Sequence, residues 1–361
     1  MTAPVPPAST SAATTIAWND PQRAAAFDRW LARVAPLHQL RPDSLRLASA
    51  DASFRRYFRI DADGPAPTRI VMDAPPDKEN SQPFVQVAQL LRDAGVLAPQ
   101  VLDWDEADGF LLLDDLGAKT LLDHIDPADA EASRPRYEQA IDALIRWQLA
   151  SRPGVLPPYD AALLERELAL FPQWYLAQHR GVAVEGKLKE TLDKTFALIV
   201  QTNLASSAVY VHRDFMPRNL MVDGDRMGVL DFQDAVYGPI TYDIASLMRD
   251  AFLSWEEDFV IDITVRYWQA ARKAGLPVDA DFGTFYRAVE WMGLQRHLKV
   301  AGIFARLTLR DGKPRYLADA PRFIGYIRAT ASRYRELAPL RRLIDEVEGT
   351  QQASAYAFGR V

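Results

Sequence analysis

The chain of 361 residues contains no cysteine. This absence excludes disulfide bonds, thiolate zinc sites and a cysteine nucleophile, and it disfavours a disulfide-stapled secreted scaffold. Long apolar runs are absent too, because charged residues interrupt every hydrophobic segment before it reaches the length of about 20 residues that spans a bilayer. Residues 1–18 are rich in Ala, Pro, Ser and Thr and lack the basic and apolar regions of a signal peptide, so they predict a disordered tail. We expect a cytoplasmic protein that does not contact a membrane.

An excess of positive charge is also missing. The formal net charge is -6, which gives no general footprint for nucleic acid. The charge is unevenly distributed: residues 251–361 contain 17 Lys and Arg against 13 Asp and Glu, whereas residues 1–250 contain 25 against 35. An anionic or neutral substrate therefore fits the C-terminal part better than a polycationic one.

The residues that are present predict a helix followed by short strands. Asn19 or Asp20 can cap a helix that begins at Pro21, and apolar residues recur at helical spacing until Pro36, so we predict an N-terminal helix within residues 19–44. Alternating patterns and turn residues then predict strands at 45–48, 55–60, 69–73, 101–104 and 110–113, with a helix over 84–94.

These short elements predict a compact α+β unit, a β-rich N-lobe over residues 45–115. Beyond it the chain has mainly helical patterns, with one β-rich interlude over residues 209–232. We therefore predict a larger, mainly helical C-lobe over residues 116–345, followed by a C-terminal tail over residues 346–361.

The β-rich interlude contains the side chains that best fit a chemical role: His212-Arg213-Asp214, then Asn219, then Asp231. Phosphoryl transfer from ATP requires an oriented nucleophile and cations that neutralise charge on the phosphates. Asp214 can act as the catalytic base that accepts or orients the proton of an attacking hydroxyl, while Asn219 and Asp231 supply oxygen ligands for Mg²⁺.

A predicted hairpin accounts for the spacing of these side chains. Two short strands joined at Gly224 bring the base and the two metal ligands to one end of the hairpin. The alternative is that the three side chains only form turns and caps, since Asp and Asn favour both. His212 follows an apolar run, and we interpret it as a packed, hydrogen-bonded support rather than a base or a ligand.

The two motifs resemble the kinase signature His-Arg-Asp-x-x-x-x-Asn followed by Asp-Phe-Gly, with Gln233 in place of the glycine. Over roughly residues 20–340 the chain resembles the aminoglycoside phosphotransferase and choline kinase superfamily, most closely the bacterial anomeric N-acetylmuramate/N-acetylglucosamine kinases. The resemblance implies a two-lobed protein-kinase-like fold that binds ATP in the cleft between its lobes. The segments that carry it are 51–59, 71–76, 212–219 and 295–304.

The resemblance also implies nucleotide contacts in the N-lobe. A turn with Ser53 and Phe54 is expected to cover the phosphates, although it contains no glycine. A hinge with Asp114 and Leu116 is expected to present backbone groups to adenine.

The N-lobe departs from the kinase pattern because it lacks the phosphate-binding lysine, whose place is taken by Met72. Arg55, Arg56 and Arg59 are candidates to replace the lysine. We favour Arg56 or Arg59, which lie on opposite faces of one strand because side chains alternate. The alternative is that both arginines are solvated charges of an edge strand. The missing lysine also permits a second class of protein, a pseudokinase that binds nucleotide without turnover, but an intact Asp214 argues against it.

Several polar residues are candidates for holding the acceptor or the catalytic loop. The resemblance assigns Asp243 to the backbone amides of that loop, with a helix cap as the alternative. Gln295, Lys299 and Arg306 lie near one face of a predicted helix, so they either line the acceptor pocket or form a solvated basic face.

Two residues beside the metal ligands are further candidates for contact with the acceptor. Arg218 directly precedes Asn219, where it can bind substrate or stabilise transferred charge in catalysis, and its alternative is an exposed turn arginine. Gln233 is the third residue of the second motif and is predicted to contact substrate.

The function that the resemblance implies is phosphorylation of the anomeric hydroxyl of N-acetylmuramate or N-acetylglucosamine, in peptidoglycan recycling that feeds UDP-sugar synthesis. A basic C-terminal region is compatible with the carboxylate of N-acetylmuramate. The alternative acceptors are an aminoglycoside, an amino alcohol or another hexosamine. We expect a monomer whose partner is a small amino sugar.

Overall fold

A computed structural model of the protein describes residues 16–18, 20–50, 54–224 and 226–349. Four predictions fall wholly or partly outside these ranges: most of the disordered tail, the cap at Asn19, the phosphate contact of Ser53, and the C-terminal tail from residue 350. No helix within the described ranges is long and apolar enough to cross a membrane.

The described residues alternate between strands and helices in the first third of the chain and are mainly helical afterwards. In chain order the elements are α1 (Pro21–Leu37), β1 (Leu40–Ala50), β2 (Arg56–Ala62), β3 (Thr68–Asp73), α2 (Gln82–Asp93), β4 (Val101–Asp105), β5 (Phe110–Asp114), α3 (Ala130–Leu149), α4 (Ala161–Leu168), α5 (Gly186–Leu204), β6 (Ala208–Val211), β7 (Leu220–Asp223), β8 (Arg226–Val229), β9 (Val236–Pro239), α6 (Thr241–Met248), α7 (Glu257–Lys273), α8 (Phe282–Leu309), α9 (Ala320–Arg333) and α10 (Ala338–Glu348).

These elements form two compact units. Unit 1 consists of the described residues up to Arg92 together with Ala98–Gly117, and unit 2 consists of Asp93–Leu97 and the described residues from Ala118 onwards. Unit 1 ends at Gly117, two residues beyond the predicted end of the N-lobe at residue 115. The short segment Asp93–Leu97 at the end of α2 belongs with unit 2. A β-sheet unit followed by a helical unit confirms the predicted α+β class.

Unit 1 contains an antiparallel sheet in the order β1-β2-β3-β5-β4, and α1 covers one face of it. Helix α1 begins at Pro21, because the Asp20 side chain accepts a hydrogen bond from the Gln22 amide at 2.8 Å and proline fits the first helical position. Its buried face packs Phe27 and Trp30 against the sheet. Burial of these aromatic side chains is the main hydrophobic contribution of the appended helix.

The ends of the N-terminal segment differ from the sequence-based expectation. Trp18, predicted to belong to a tail, packs against the ring of Phe27 with 5.0 Å between ring centroids. Strand β1 begins at Leu40, five residues before the first predicted strand, because Leu40 pairs with Ala62 across the sheet. Pairing with a distant strand decides this assignment, since Pro42 and its polar neighbours show no alternating pattern.

Unit 2 is organised around α8, whose described side chains are buried along most of the helix. A β-carbon at Gly302 of α8 would lie 2.4 Å from the carbonyl carbon of Leu170, so only glycine permits this close approach. Helix α10 continues to Glu348, which makes the first residues of the predicted C-terminal tail helical.

Candidate active site

Two small strand pairs of unit 2 hold the loop that carries the predicted catalytic residues. Strand β6 pairs with β9 and leads into the loop at His212, while β7 and β8 form the hairpin that follows it. A single 3₁₀ turn, Pro217–Asn219, joins the loop to β7, and the Leu230 amide returns to the Asn219 carbonyl at 2.9 Å. The hairpin therefore ends where its two flanking residues, Asn219 and Asp231, meet.

The structure brings the three predicted catalytic and metal-binding residues together. The Nδ2 atom of Asn219 donates to the Asp214 carbonyl oxygen at 2.9 Å and lies 3.3 Å from Oδ2 of Asp231. Because those two partners are acceptors, the amide must present its nitrogen to them, which leaves the Oδ1 oxygen of Asn219 for another group. Asn219 is 8 % exposed, whereas Asp214 and Asp231 are half-buried.

Asp231 adopts a left-handed backbone conformation with a φ of 61°. Such a conformation is uncommon for residues other than glycine and is tolerated best by Asp and Asn. The Gln233 side chain donates to Oδ1 of Asp231 at 2.8 Å. The structure thus places Gln233 as a partner of a predicted metal ligand, and its predicted contact with substrate stays a prediction.

His212 is buried and supports the loop through hydrogen bonds to the backbone. Its Nε2 lies 3.0 Å from the Leu230 carbonyl oxygen, and its Nδ1 accepts the Asp214 amide at 3.2 Å. Burial lowers the pKa of His212 to about 4, so the ring is neutral near pH 7. A neutral ring with its proton on Nε2 satisfies both contacts and links Asp214, the predicted base, to the end of the hairpin at Leu230.

Asp243 at the start of α6 binds the backbone of the catalytic loop. Its two carboxylate oxygens accept the amides of His212 at 2.7 Å and Arg213 at 3.0 Å. Burial raises the pKa of Asp243 to about 7 against the opposing effect of these two amides. Arg213 has a φ of 76°, an unfavourable conformation for a residue of this size, and the two hydrogen bonds hold it there.

A buried ionic cluster lies behind the same loop. Oε1 of Glu167 forms ion pairs with Arg213 at 2.6 Å and with Lys299 at 2.9 Å. The other carboxylate oxygen accepts a hydrogen bond from the hydroxyl of Tyr159. Burial alone would raise the pKa of Glu167, but Lys299 and Arg213 outweigh it and lower the pKa to about 2. Both oxygens of this carboxylate are engaged, which a buried ion cluster requires for stability.

Arg296 of α8 supports the loop, a role that the sequence pattern alone did not predict. It is 3 % exposed, and its guanidinium donates to the Arg213 carbonyl oxygen at 2.7 Å. Its Cζ lies 4.8 Å from the ring centroid of Tyr242, a cation–π distance. Tyr242 and Asp214 raise the pKa of Arg296 against the effect of burial, which places a permanent cation within electrostatic range of the predicted base.

The predicted substrate residues of α8 are buried rather than exposed on a basic face. Gln295 is fully buried and donates to the Leu164 carbonyl oxygen at 3.0 Å, and Lys299 is held by Glu167. Arg306 is half-buried. The solvated-face alternative is therefore wrong for Gln295 and Lys299, while their contact with substrate stays a prediction.

Arg218 is exposed and directly precedes Asn219, a predicted metal ligand. Its Cζ is 4.7 Å from the ring centroid of Phe252, a half-buried residue after α6. This cation–π contact gives the exposed guanidinium an aromatic partner in unit 2.

In unit 1 the two candidate arginines lie on opposite faces of the sheet. Tyr57 pairs directly with Met72, so Arg59, two residues along the strand, shares the face of Met72. Arg56 lies on the face covered by α1, where its Nε donates to buried Asp73 at 2.9 Å. Arg56 therefore lies on the face opposite to Met72 and Arg59 on the same face as Met72, while the phosphate contact of either arginine stays a prediction.

Arg59 is itself engaged in an ion pair. It donates to both oxygens of Asp115, at 2.5 and 3.0 Å, and to the Gly117 carbonyl oxygen at 2.7 Å. Although burial acts to raise it, the pKa of Asp115 is lowered by Arg59 and Thr68. Unlike a solvated edge-strand charge, Arg59 is tied to the segment that follows β5.

The remaining nucleotide candidates lie just before β2 and at the end of β5. Asp114 accepts the Gln100 amide at 2.5 Å, and burial raises the pKa of its carboxyl group. Leu116 is half-buried, and Phe54 is 62 % exposed with its amide 3.2 Å from Glu79. The nucleotide contacts of these residues stay predictions.

The donor set around Asn219 and Asp231 fits a hard divalent cation. An amide oxygen and a carboxylate are the ligands that Mg²⁺ takes in proteins, and Mg²⁺ completes its shell with water and substrate phosphates. The described ranges contain no group of three or more His, Cys, Asp or Glu side chains that could hold a metal ion by themselves. A site that relies on substrate oxygens is consistent with both observations.

The fold and this loop define the class of protein, a phosphotransferase with a kinase-like fold. A choline/ethanolamine kinase family protein from Mesorhizobium loti matches the structure with a TM-score of 0.58, at 16% sequence identity, over 88% of this chain and 99% of that chain. At this identity the likeness shows the fold alone, and it confirms the predicted kinase-like architecture.

Sequence comparison then shows the family. The model described as Phosphotransferase enzyme family matches residues 44–280. An N-acetylmuramate/N-acetylglucosamine kinase of Pseudomonas aeruginosa is 51% identical over 303 residues, which cover 84% of this chain and 88% of that protein. A protein of the same name from Neisseria meningitidis is 48% identical over 92% of this chain and 98% of its own length. The chain belongs to the phosphotransferase enzyme family, as the sequence motifs predicted.

Proposed function

We propose that this protein transfers the γ-phosphate of ATP to the anomeric hydroxyl of N-acetylmuramate and N-acetylglucosamine. The observation that carries the proposal is the convergence of Asp214, Asn219 and Asp231 at the end of one hairpin. The choice of acceptor is supported by two relatives named for these sugars at about half identity over most of both chains.

Asp214 is the proposed base because hydrogen bonds hold its backbone in place at the end of the hairpin. Its amide is bound by His212 and its carbonyl oxygen by Asn219, so both sides of its backbone are held. An anomeric hydroxyl is more acidic than an ordinary alcohol, which eases proton transfer to a carboxylate. Positioning of this hydroxyl against Asp214 is the contribution expected from unit 2.

Asn219 and Asp231 are the proposed Mg²⁺ ligands. Bound Mg²⁺ neutralises negative charge on the transferred phosphoryl group. Gln233 restrains the Asp231 carboxylate through its 2.8 Å hydrogen bond, and the Asn219 amide nitrogen is already used, which directs its oxygen to the cation. These contacts preorganise the ligands before the cation binds.

Arg59, Phe54, Asp114 and Leu116 are the proposed nucleotide contacts of unit 1. Arg59 is the proposed phosphate cation because it shares the sheet face of Met72, the place of the lysine in related kinases. It can exchange its bond with Asp115 for one with a phosphate, since guanidinium binds both anions through the same paired geometry.

We further propose that the enzyme is a cytoplasmic monomer that acts in amino-sugar salvage. Its phosphate donor is a cytoplasmic metabolite, and an exposed Arg218 beside the metal ligand suits an acceptor with a carboxylate. Light scattering of the purified protein measures the oligomeric state directly, and a mass of about 80 kDa, twice the chain mass of 40.5 kDa, would contradict the monomer.

The test is product analysis with the purified enzyme, ATP, Mg²⁺ and each sugar. A phosphorus resonance coupled to the anomeric proton is the expected product signal, and coupling to another proton would reject phosphorylation at that position. Asp214→Asn is expected to lower kcat about 10²- to 10⁴-fold, the usual contribution of a general base. Asp193→Asn, an exposed carboxylate paired with Lys189, is the matched control and should leave kcat unchanged. Equal turnover by Asp214→Asn and wild type would refute the assigned base.

A further inference from the structure

Asp250, two residues after α6, is a buried carboxylate with one unsatisfied oxygen. It is 2 % exposed, and its Oδ1 accepts the Ala251 amide at 2.5 Å. Within the part of the chain that the structure describes, its Oδ2 has no hydrogen-bond partner. Buried polar atoms are almost always paired in native proteins, and an unpaired carboxylate oxygen costs free energy. This oxygen therefore lacks a donor that a ligand can supply.

The surroundings of Asp250 connect it to the catalytic loop. Helix α6 begins with Asp243, which binds that loop, and Asp250 follows the same short helix at its other end. The ring of Phe252 lies under the guanidinium of Arg218, one residue before the proposed metal ligand. Asp250 thus lies in unit 2 beside a loop arginine and an aromatic ring.

Buried Arg296 links this group to the proposed base. Arg296 is within electrostatic range of both Asp214 and Asp250. A single guanidinium therefore influences the charge of both carboxylates, so the unsatisfied oxygen lies near the catalytic loop rather than at an unrelated place in the helical unit.

We propose that Asp250 determines acceptor specificity by accepting a hydrogen bond from a ring hydroxyl of the sugar, while Phe252 packs against the ring and Arg218 lies near its substituents. A carboxylate can accept two or more hydroxyl hydrogen bonds, and an aromatic face packs against the apolar face of a sugar ring. The proposal rests on the proposed sugar kinase activity and adds residues to its acceptor site.

A purely structural role explains the carboxylate less well. Burial raises the pKa of Asp250 to about 6, although two backbone amides, Arg296 and Arg218 act in the opposite direction. The folded protein therefore spends free energy to keep this group ionised near pH 7, and an asparagine of the same shape would avoid that cost. Retention of a costly carboxylate is typical of functional sites.

The first test is the Asp250→Asn variant, which keeps the shape of the side chain and removes its charge. We expect the KM for N-acetylglucosamine to rise about 10- to 100-fold, the effect of losing a hydrogen bond to a charged group. The KM for ATP should change less than about twofold, and the Tm should stay the same or rise. Unchanged sugar KM, or a lower Tm with unchanged kinetics, would overturn the proposal and leave Asp250 a structural residue.

Asp345→Asn is the matched control for loss of a carboxylate in the helical unit. Asp345 is bound by Arg328 at 2.8 Å, so its substitution should lower the Tm and leave the sugar KM unchanged. A raised sugar KM in this control would show that the kinetic change follows general destabilisation and would overturn the specificity argument.

The second test identifies the hydroxyl and does not depend on the stability of a variant. Wild-type enzyme is assayed with 3-deoxy, 4-deoxy and 6-deoxy N-acetylglucosamine. With wild type, the kcat/KM for one analogue should be about 10-fold or more below the kcat/KM for N-acetylglucosamine. With Asp250→Asn, the kcat/KM values for that analogue and for N-acetylglucosamine should differ by no more than twofold. Equal use of all three analogues by wild type would overturn the proposal. Failure of wild type to phosphorylate N-acetylglucosamine itself would instead refute the proposed function.

Discussion

The pH dependence of stability at Asp243 is the most direct consequence of the loop geometry. The Asp243→Asn substitution removes a fully buried carboxyl group whose pKa is raised to about 7 by burial. The folded protein binds this proton more tightly than the unfolded chain, whose carboxyl group titrates near pH 4. Asp243 therefore contributes stability below pH 4 relative to neutral pH, and this contribution is lost as the pH rises through 7.

The magnitude follows from the size of the shift. A shift of roughly three pKa units corresponds to about 4 kcal/mol in total, of which about 2 kcal/mol is lost between pH 5.5 and pH 8. The asparagine variant lacks this pH-dependent contribution to stability, since its side chain does not titrate. Its remaining effect, one of the two loop amides left without an acceptor, costs about 1–3 kcal/mol at every pH.

Calorimetry or denaturant unfolding between pH 5.5 and 8 measures the difference in free energy of unfolding between Asp243→Asn and wild type. The contributions of the other titrating groups cancel in this difference, because both proteins contain them. The stability of Asp243→Asn relative to wild type should rise by about 2 kcal/mol over this interval. A difference that is independent of pH would refute the reasoning, because it would mean that the two backbone amides keep the carboxylate ionised throughout.

Two further substitutions separate structural from ligand-binding roles. Lys299→Met leaves Glu167 with one cation fewer and should destabilise the protein by about 3–5 kcal/mol, as breaking a buried ion cluster does; a normal Tm together with a raised sugar KM would instead make Lys299 a substrate residue. Arg59→Gln should raise the KM for ATP about 10-fold or more and leave the sugar KM within twofold, whereas an unchanged KM for ATP would exclude Arg59 as the phosphate cation.

The convergence of the three proposed catalytic and metal-binding residues could be predicted from the sequence because their contacts are local. Asp214, Asn219 and Asp231 lie within 18 consecutive residues, and one hairpin is enough to bring them together. The interpretation of His212 as a packed support follows from the same local pattern, and its two hydrogen bonds agree with it.

The residues behind the loop could not be predicted in the same way. Helical spacing placed Gln295 and Lys299 on one helix, but periodicity does not show whether that helix face is covered. Glu167, which partners Lys299, comes from α4, more than a hundred residues earlier in the chain. Only folding reveals that such a distant carboxylate neutralises the lysine, and the same holds for Arg296 and the Arg213 carbonyl oxygen.

The strand that carries Arg56 and Arg59 shows most clearly what could be predicted from the sequence and what depends on the tertiary structure. Alternation of side chains determined from the sequence that the two arginines occupy opposite faces. Tertiary structure alone decided that α1 covers the face of Arg56 and that buried Asp73 binds it, which leaves Arg59 on the face of Met72. The sequence by itself determined the local chemistry of the loop, since short-range backbone geometry suffices for it. The partners and burial of each charge were decided by the tertiary structure, because they depend on contacts between residues far apart in the chain.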